Sequence, residues 1–187
     1  MNQQTAIVKG SLSAVAKSGN MSLAETFLNC DALILVDVSG SMSSDDARDG
    51  KSRYVVALEE LASLQSTMPG KLAIVSFSDK AEFCPGGVPV FVGGGTGLAN
   101  ALRFAQVADV GGIRFVVISD GAPDDGEAAL RVAFSYKGRI DTIYVGPELD
   151  SSGKVFLQKL AAAHKGQAVT ADRASMLAEK TTQLLLA

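Results

Sequence analysis

From residue 31 onward, short apolar runs rich in Val, Ile and Phe alternate with longer segments whose apolar positions recur at helical spacing. Asp31–Val38 reads as a strand buried on both faces, because Leu33, Ile34, Leu35 and Val36 leave no polar alternation. Ser52–Met68 reads as a helix with an apolar stripe of Val55, Leu58, Leu61, Ala62, Leu64 and Met68, closed by Pro69-Gly70. Leu72–Ser78 returns as a strand, and Ala81–Cys84 as a short edge strand antiparallel to it, since Pro85-Gly86-Gly87 stops the run and Pro89 would spoil a central ladder. Helices over Gly97–Ala108, Gly126–Tyr136 and Gly153–Lys165 then alternate with strands over Ile113–Ser119, Ile140–Val145 and Gln167–Thr170, and Asp172 N-caps a closing helix through Leu186. This order predicts an α/β fold: a doubly wound, Rossmann-like three-layer sandwich of about six strands, mostly parallel with one short antiparallel edge strand, and helices on both faces. Ligands of such sheets sit at the carboxyl ends of the strands.

Residues 1–30 have a different character. Ser11–Lys17 and Ser22–Leu28 read as two short helices around Gly19-Asn20, where Asn20 suits a left-handed turn. The predicted organisation is an N-terminal helical extension over 1–30 packed on an α/β body over 31–187. The corner between the two short helices faintly matches a helix-turn-helix, but the segment carries few basic residues for contact with DNA.

Composition narrows the function classes. The 187 residues fit one domain, and 47% apolar with 20% charged residues is ordinary for a globular chain. A formal charge of −3 supplies no general field for nucleic acid or anionic membrane. Cys30 and Cys84 lie in no metal-ligand pattern, and each reads as a small buried apolar residue, with a single bridge between them left open. No segment approaches the 18 or more consecutive apolar residues of a membrane span, and Lys9, Gly10, Lys17 and Gly19 interrupt any signal core, so the reading is cytoplasmic.

The chemistry concentrates where the first buried strand ends. Asp37-Val38-Ser39-Gly40-Ser41 places one carboxylate and two hydroxyls at Asp-x-Ser-x-Ser spacing, an oxygen-only donor set of the kind Mg²⁺ prefers. Gly93-Gly94-Gly95-Thr96-Gly97 precedes a helix and offers one more hydroxyl on a backbone free to approach closely. Ile118-Ser119-Asp120-Gly121 ends the apolar strand, so Asp120 sits beside Asp37 if the two strands are neighbours.

On these residues the chain resembles the von Willebrand factor A family with a metal-ion-dependent adhesion site, over residues 31–187. The family's Asp-x-Ser-x-Ser matches Asp37, Ser39 and Ser41, its distant Thr matches Thr96, and its Asp after an apolar strand matches Asp120. The resemblance implies a binding module rather than an enzyme, with Mg²⁺ (or Mn²⁺ or Ca²⁺) held by those five residues and an Asp or Glu of another protein filling the open position. Two Asp charges roughly neutralise the ion while three hydroxyls add none, which leaves it attractive to a carboxylate. The compact form is similar to stand-alone prokaryotic members of the family, some of which work beside AAA+ ATPases or in stress systems; the implied partner is of that class, with no membrane and no nucleic acid.

Other readings of the same residues are a metal-dependent hydrolase or phosphatase, and a regulatory module contacting DNA through residues 1–30. The glycine run lacks the third glycine of a dinucleotide fingerprint and no Lys follows to make a phosphate loop. A serine nucleophile wants a base, and the single histidine, His164, is placed at the far end of a helix running back from the ligand edge. Asp45, Asp46, Asp49, Asp124 and Asp125 read as solvated loop charges.

Overall fold

A computed structural model describes residues 7–46, 48–110, 112–121, 123–146, 151–170 and 183. Six strands form one sheet: β1 (Ala32–Asp37), β2 (Leu72–Phe77), β3 (Ala81–Phe83), β4 (Arg114–Ser119), β5 (Ile140–Tyr144) and β6 (Ala168–Thr170), in the order β3-β2-β1-β4-β5-β6. Every pair is parallel except β2 with β3, as the sequence predicts. The helices are α1 (Leu12–Gly19), α2 (Leu23–Leu28), α3 (Arg53–Thr67), α4 (Leu98–Ala105), α5 (Gly126–Ala133) and α6 (Ser151–Ala163). The closing helix expected over Asp172–Leu186 lies outside the described residues.

Period-two alternation divides the strand residues between two cores. Leu33, Leu35, Val75, Phe115 and Val117 face Leu98, Leu102 and Ala105 of α4, Ala129 of α5 and Leu157 of α6. Ile34, Val36, Ile74, Val116 and Ile118 face Val56, Ala57, Leu61 and Leu64 of α3. Both faces are dry, which is why these strands carry unbroken apolar runs.

The buried stripe of α3 differs from the predicted one. Val55 is 38% exposed, whereas Arg53, Val56 and Ala57 are buried. The reason is Arg53 itself: it turns inward to pair with carboxylates, and the positions three and four residues on share its face. The predicted Gly97–Ala108 helix is a shorter α4 followed by a 3₁₀ turn over Gln106–Ala108.

Residues ahead of β1 are tied to the sheet domain. Leu12 is buried in the larger core, Val8 N–H donates to Gly86 O, Ser13 N–H to Pro85 O, and Gly70 N–H to Gly10 O. Asn20 takes the left-handed turn (φ 50°, ψ 40°) that closes α1. Cys30 and Cys84 are free and buried, so no bridge joins them. Among the described residues no helix is long and apolar enough to cross a membrane.

Candidate metal centre

The order of strands reverses between β1 and β4, so their carboxyl ends border the crevice where doubly wound sheets bind ligands. Asp37 is the last residue of β1, and Ser119 and Asp120 close β4. Asp37 shares the sheet face of Leu35, and Ser119 that of Val117, which brings the two polar side chains together at the strand ends. Ser119 Oγ donates to Asp37 Oδ2 at 2.6 Å, and Ser39 N–H donates to Asp37 Oδ1 at 2.8 Å.

The two serines continue the chain of oxygens outward. Ser39 Oγ lies 3.3 Å from Ser41 Oγ, and Ser41 Oγ donates to Asp120 Oδ1 at 2.8 Å. Asp37, Ser39 and Asp120 are buried while Ser41 is exposed, so a buried charged end opens to solvent through a hydroxyl. Ser39 precedes the 3₁₀ turn Gly40–Ser43, which carries the Ser41 hydroxyl to Asp120.

Thr96 arrives on a separate loop that runs alongside. Gly93 N–H donates to Val38 O and Gly40 N–H to Gly94 O, so the glycine run and the serine loop are stitched together by their backbones. Asp124 fixes Thr96 by accepting its N–H at 3.0 Å and donating its own N–H to Thr96 O at 3.1 Å. Asp79 accepts from Gly95 N–H at 3.1 Å. A Cβ at Gly95 would stand 2.6 Å from Asp124 Oδ2 and 2.9 Å from Asp79 Oδ1, so only glycine lets both carboxylates close on this loop. The Thr96 hydroxyl itself makes no hydrogen bond among the described residues. Of the five residues singled out in the sequence, four are joined in one hydrogen-bonded cluster and the fifth lies on the adjacent loop.

The donor set fits a hard divalent cation. All of its members are oxygens, and two neighbouring pairs are 3.3 Å and 2.8 Å apart. Ligands at adjacent corners of an octahedron with metal–oxygen distances of ~2.1 Å stand ~3 Å apart. Burial pushes the Asp37 carboxyl up to about 6 against the opposing hydrogen bonds of Ser119 and Ser39, with the Asp120 charge adding to the rise. A buried carboxylate so poorly compensated within the chain is suited to an external cation. Among the described residues no three His, Cys, Asp or Glu side chains form a metal cluster.

No family model matches the sequence, and comparison with curated proteins finds no match either. Solved structures do match. An aerotolerance-related membrane protein from Bacteroides fragilis is similar at 17% identity and TM-score 0.67, with 84% of this chain and 98% of that one covered. A von Willebrand factor type A protein from Catenulispora acidiphila is similar at 18% identity and TM-score 0.59, with 82% and 41% covered. The fold is that of a von Willebrand factor A domain. Proximal thread matrix protein 1 from the mussel byssus, with a zinc-occupied MIDAS motif, is also similar, at 18% identity and TM-score 0.62, with 84% of this chain and 47% of that one covered.

Around the five residues, this von Willebrand A fold carries two more that sequence reasoning missed. Ser119 holds Asp37; its signal was a hydroxyl ending an otherwise apolar strand. Arg53, 6% exposed, donates from Nη1 to Asp120 Oδ2 at 2.6 Å and grips Asp46 with Nε and Nη2, each at 2.8 Å. Its signal was a cation at the first residue of a helix, where the macrodipole disfavours positive charge. Three of the charges read as solvated are therefore structural: Asp46 clamps Arg53, Asp124 holds Thr96, and Asp125 caps α5 by accepting from Ala128 N–H at 2.8 Å. Each has a buried or backbone donor within reach, which loop composition does not reveal. His164 follows α6 and packs on Phe134 with ring centroids 5.9 Å apart, and burial lowers its pKa.

Proposed function

We propose that the chain is a metal-dependent binding module in which Asp37, Ser39, Ser41, Thr96 and Asp120 hold a divalent cation that takes an Asp or Glu of a partner protein. The observation that carries this reading is the hydrogen-bonded line that runs from buried Asp37 through Ser39 and exposed Ser41 to buried Asp120, at the switch point of the sheet. Mg²⁺ suits these hard donors best, with Mn²⁺ and Ca²⁺ as substitutes. When bound, the ion supplies a point of positive charge for the incoming carboxylate; the chain's own residues orient it, with Ser119 fixing Asp37 and Asp124 fixing Thr96.

Binding rather than catalysis is favoured because the carboxylate that accepts from Ser41, Asp120, is held by Arg53 and, like Asp37, is assigned to the ion in this reading, while the single histidine lies elsewhere. His164 follows the C-terminal end of α6, and helices between parallel strands end at the edge opposite the ligand site. A cytoplasmic setting suits the two free thiols. An AAA+ ATPase or a stress-system component presenting an acidic side chain is the partner class to test first.

The test is affinity capture from native extract on immobilised protein, with Mg²⁺ against chelator. Capture that needs the ion and disappears in Asp120→Ala is the expected result. Capture undiminished by chelator or by Asp120→Ala contradicts the proposal, and ion-dependent turnover of a phosphoester or ester panel, lost in the same variant, would replace it with an enzyme.

A further inference from the structure

We propose that Arg53 is a built-in cation of this centre, which loosens its hold on a divalent ion and keeps the occupied centre positive enough to take a carboxylate; the inference rests on the metal-binding reading above. Burying a guanidinium is costly unless its hydrogen bonds are met, and here three of its nitrogens are engaged by two carboxylates. The stability of α3 does not call for it, since the N-terminal turn of a helix disfavours positive charge. What the position achieves lies at Asp120. That carboxylate has two oxygens, one accepting from Ser41 in the donor cluster and the other taken by Arg53. Only one oxygen is left on the side of the cluster, so Asp120 is held for single-oxygen ligation.

The charge balance shifts accordingly. Asp37 and Asp120 alone would cancel a divalent ion and leave the centre neutral. With Arg53 beside them the same ion leaves the buried groups with one net positive charge, which a single carboxylate cancels. Asp46 offsets this only in part, because its side chain is 36% exposed and solvent screens it, whereas that of Asp120 is 0% exposed. Arg53 and the ion also compete for the charge of Asp120, which makes the ion's hold weaker and its release easier. Affinity for metal is thereby exchanged for affinity for an anion.

The experiment titrates the metal-free full chain with Mn²⁺, following the free ion by electron paramagnetic resonance, in chloride and in acetate of equal ionic strength. Wild type, Arg53→Met and Arg53→Lys are compared, each checked for fold by circular dichroism. The expected result is that Arg53→Met binds Mn²⁺ at least about tenfold more tightly, from loss of a repulsive charge about one carboxylate away. The factor by which acetate strengthens Mn²⁺ binding should fall towards one in Arg53→Met, while Arg53→Lys stays close to wild type in both readouts. Equal weakening of Mn²⁺ binding in both variants would overturn the proposal and leave Arg53 as a positioning residue for Asp120. Wild type that takes up Mn²⁺ alongside an unaltered Arg53→Met overturns this inference alone; wild type that takes up none overturns the metal reading as well. Should Arg53→Met fail to fold, Asp46→Asn serves: it leaves the Arg53 charge less compensated, so Mn²⁺ should bind more weakly and acetate coupling should grow, and the opposite pair of changes overturns the proposal.

Discussion

Replacing Asp37 by Asn in the metal-free protein should raise stability at neutral pH, even though it removes a ligand. The Asp37 carboxyl is fully buried, and burial carries its titration from 3.8 to about 6 despite hydrogen bonds from Ser119 and Ser39. A rise of about two units corresponds to roughly 3 kcal/mol against keeping the ionised form in the fold. Because the folded pKa exceeds the unfolded one, the folded chain holds this proton more tightly. Stability therefore falls as pH rises from about 4 to about 6, and the full cost is present above that. An amide of the same shape escapes the cost, although it must donate to the Ser119 hydroxyl where the carboxylate accepted from it. A net gain of about 1–3 kcal/mol at neutral pH is expected, or about 2–4 °C in Tm per kcal/mol for a chain of this size. Urea unfolding of both proteins, stripped of metal, at about pH 4 and at neutral pH measures it. The variant should lose the decline across that window, and Mg²⁺ should stabilise wild type but not the variant. Asp37→Asn that is less stable than metal-free wild type at neutral pH would refute the reasoning, because it would make the ionised carboxylate a stabilising group.

Other expectations follow from single contacts. Ser119→Ala removes the 2.6 Å hydrogen bond to Asp37 Oδ2, so Mn²⁺ affinity at neutral pH should drop by about tenfold, as outer partners of metal ligands generally do when lost; calorimetric titration reads it. Gly95→Ala drives a Cβ towards Asp124 and Asp79, and should lower Mn²⁺ affinity through displacement of the Thr96 loop while far-UV circular dichroism stays unchanged. Leu61→Ala empties a fully buried position between α3 and the sheet and should cost about 2–5 kcal/mol in urea unfolding, with metal affinity unchanged per folded molecule.

The architecture was legible because its physics is local. Parallel strands buried on both faces write themselves as unbroken apolar runs, and β1, β2, β4 and β5 were found within a residue or two of their ends. The antiparallel edge strand was legible from the prolines and glycines that stop it. Asp37, Ser39, Ser41 and Asp120 could be grouped because strand ends at a switch point converge, so sequence order and topology together stand in for distance. Arg53 could not be found that way. Its partner Asp120 is 67 positions away, and only the rotation of α3 brings the two together. The same rotation moved Val55 out of the core and Ala57 into it, since a helix face set by one buried ion pair overrides an apolar count. Asp46 and Asp124 are partly or fully exposed, as the sequence suggests, but their engagement was not legible: which donor a loop carboxylate meets depends on what the fold brings to it.

The central claim is that five oxygen-bearing side chains on two strand ends and one loop form a centre for a single divalent cation. Titration of the metal-free chain with Mn²⁺, read by the resonance of the free ion, tests it most directly. One ion bound per chain, lost in Asp37→Ala and in Asp120→Ala and weakened in Thr96→Ala, is the result the account expects. No saturable binding in wild type, or binding that survives both aspartate replacements, would contradict it.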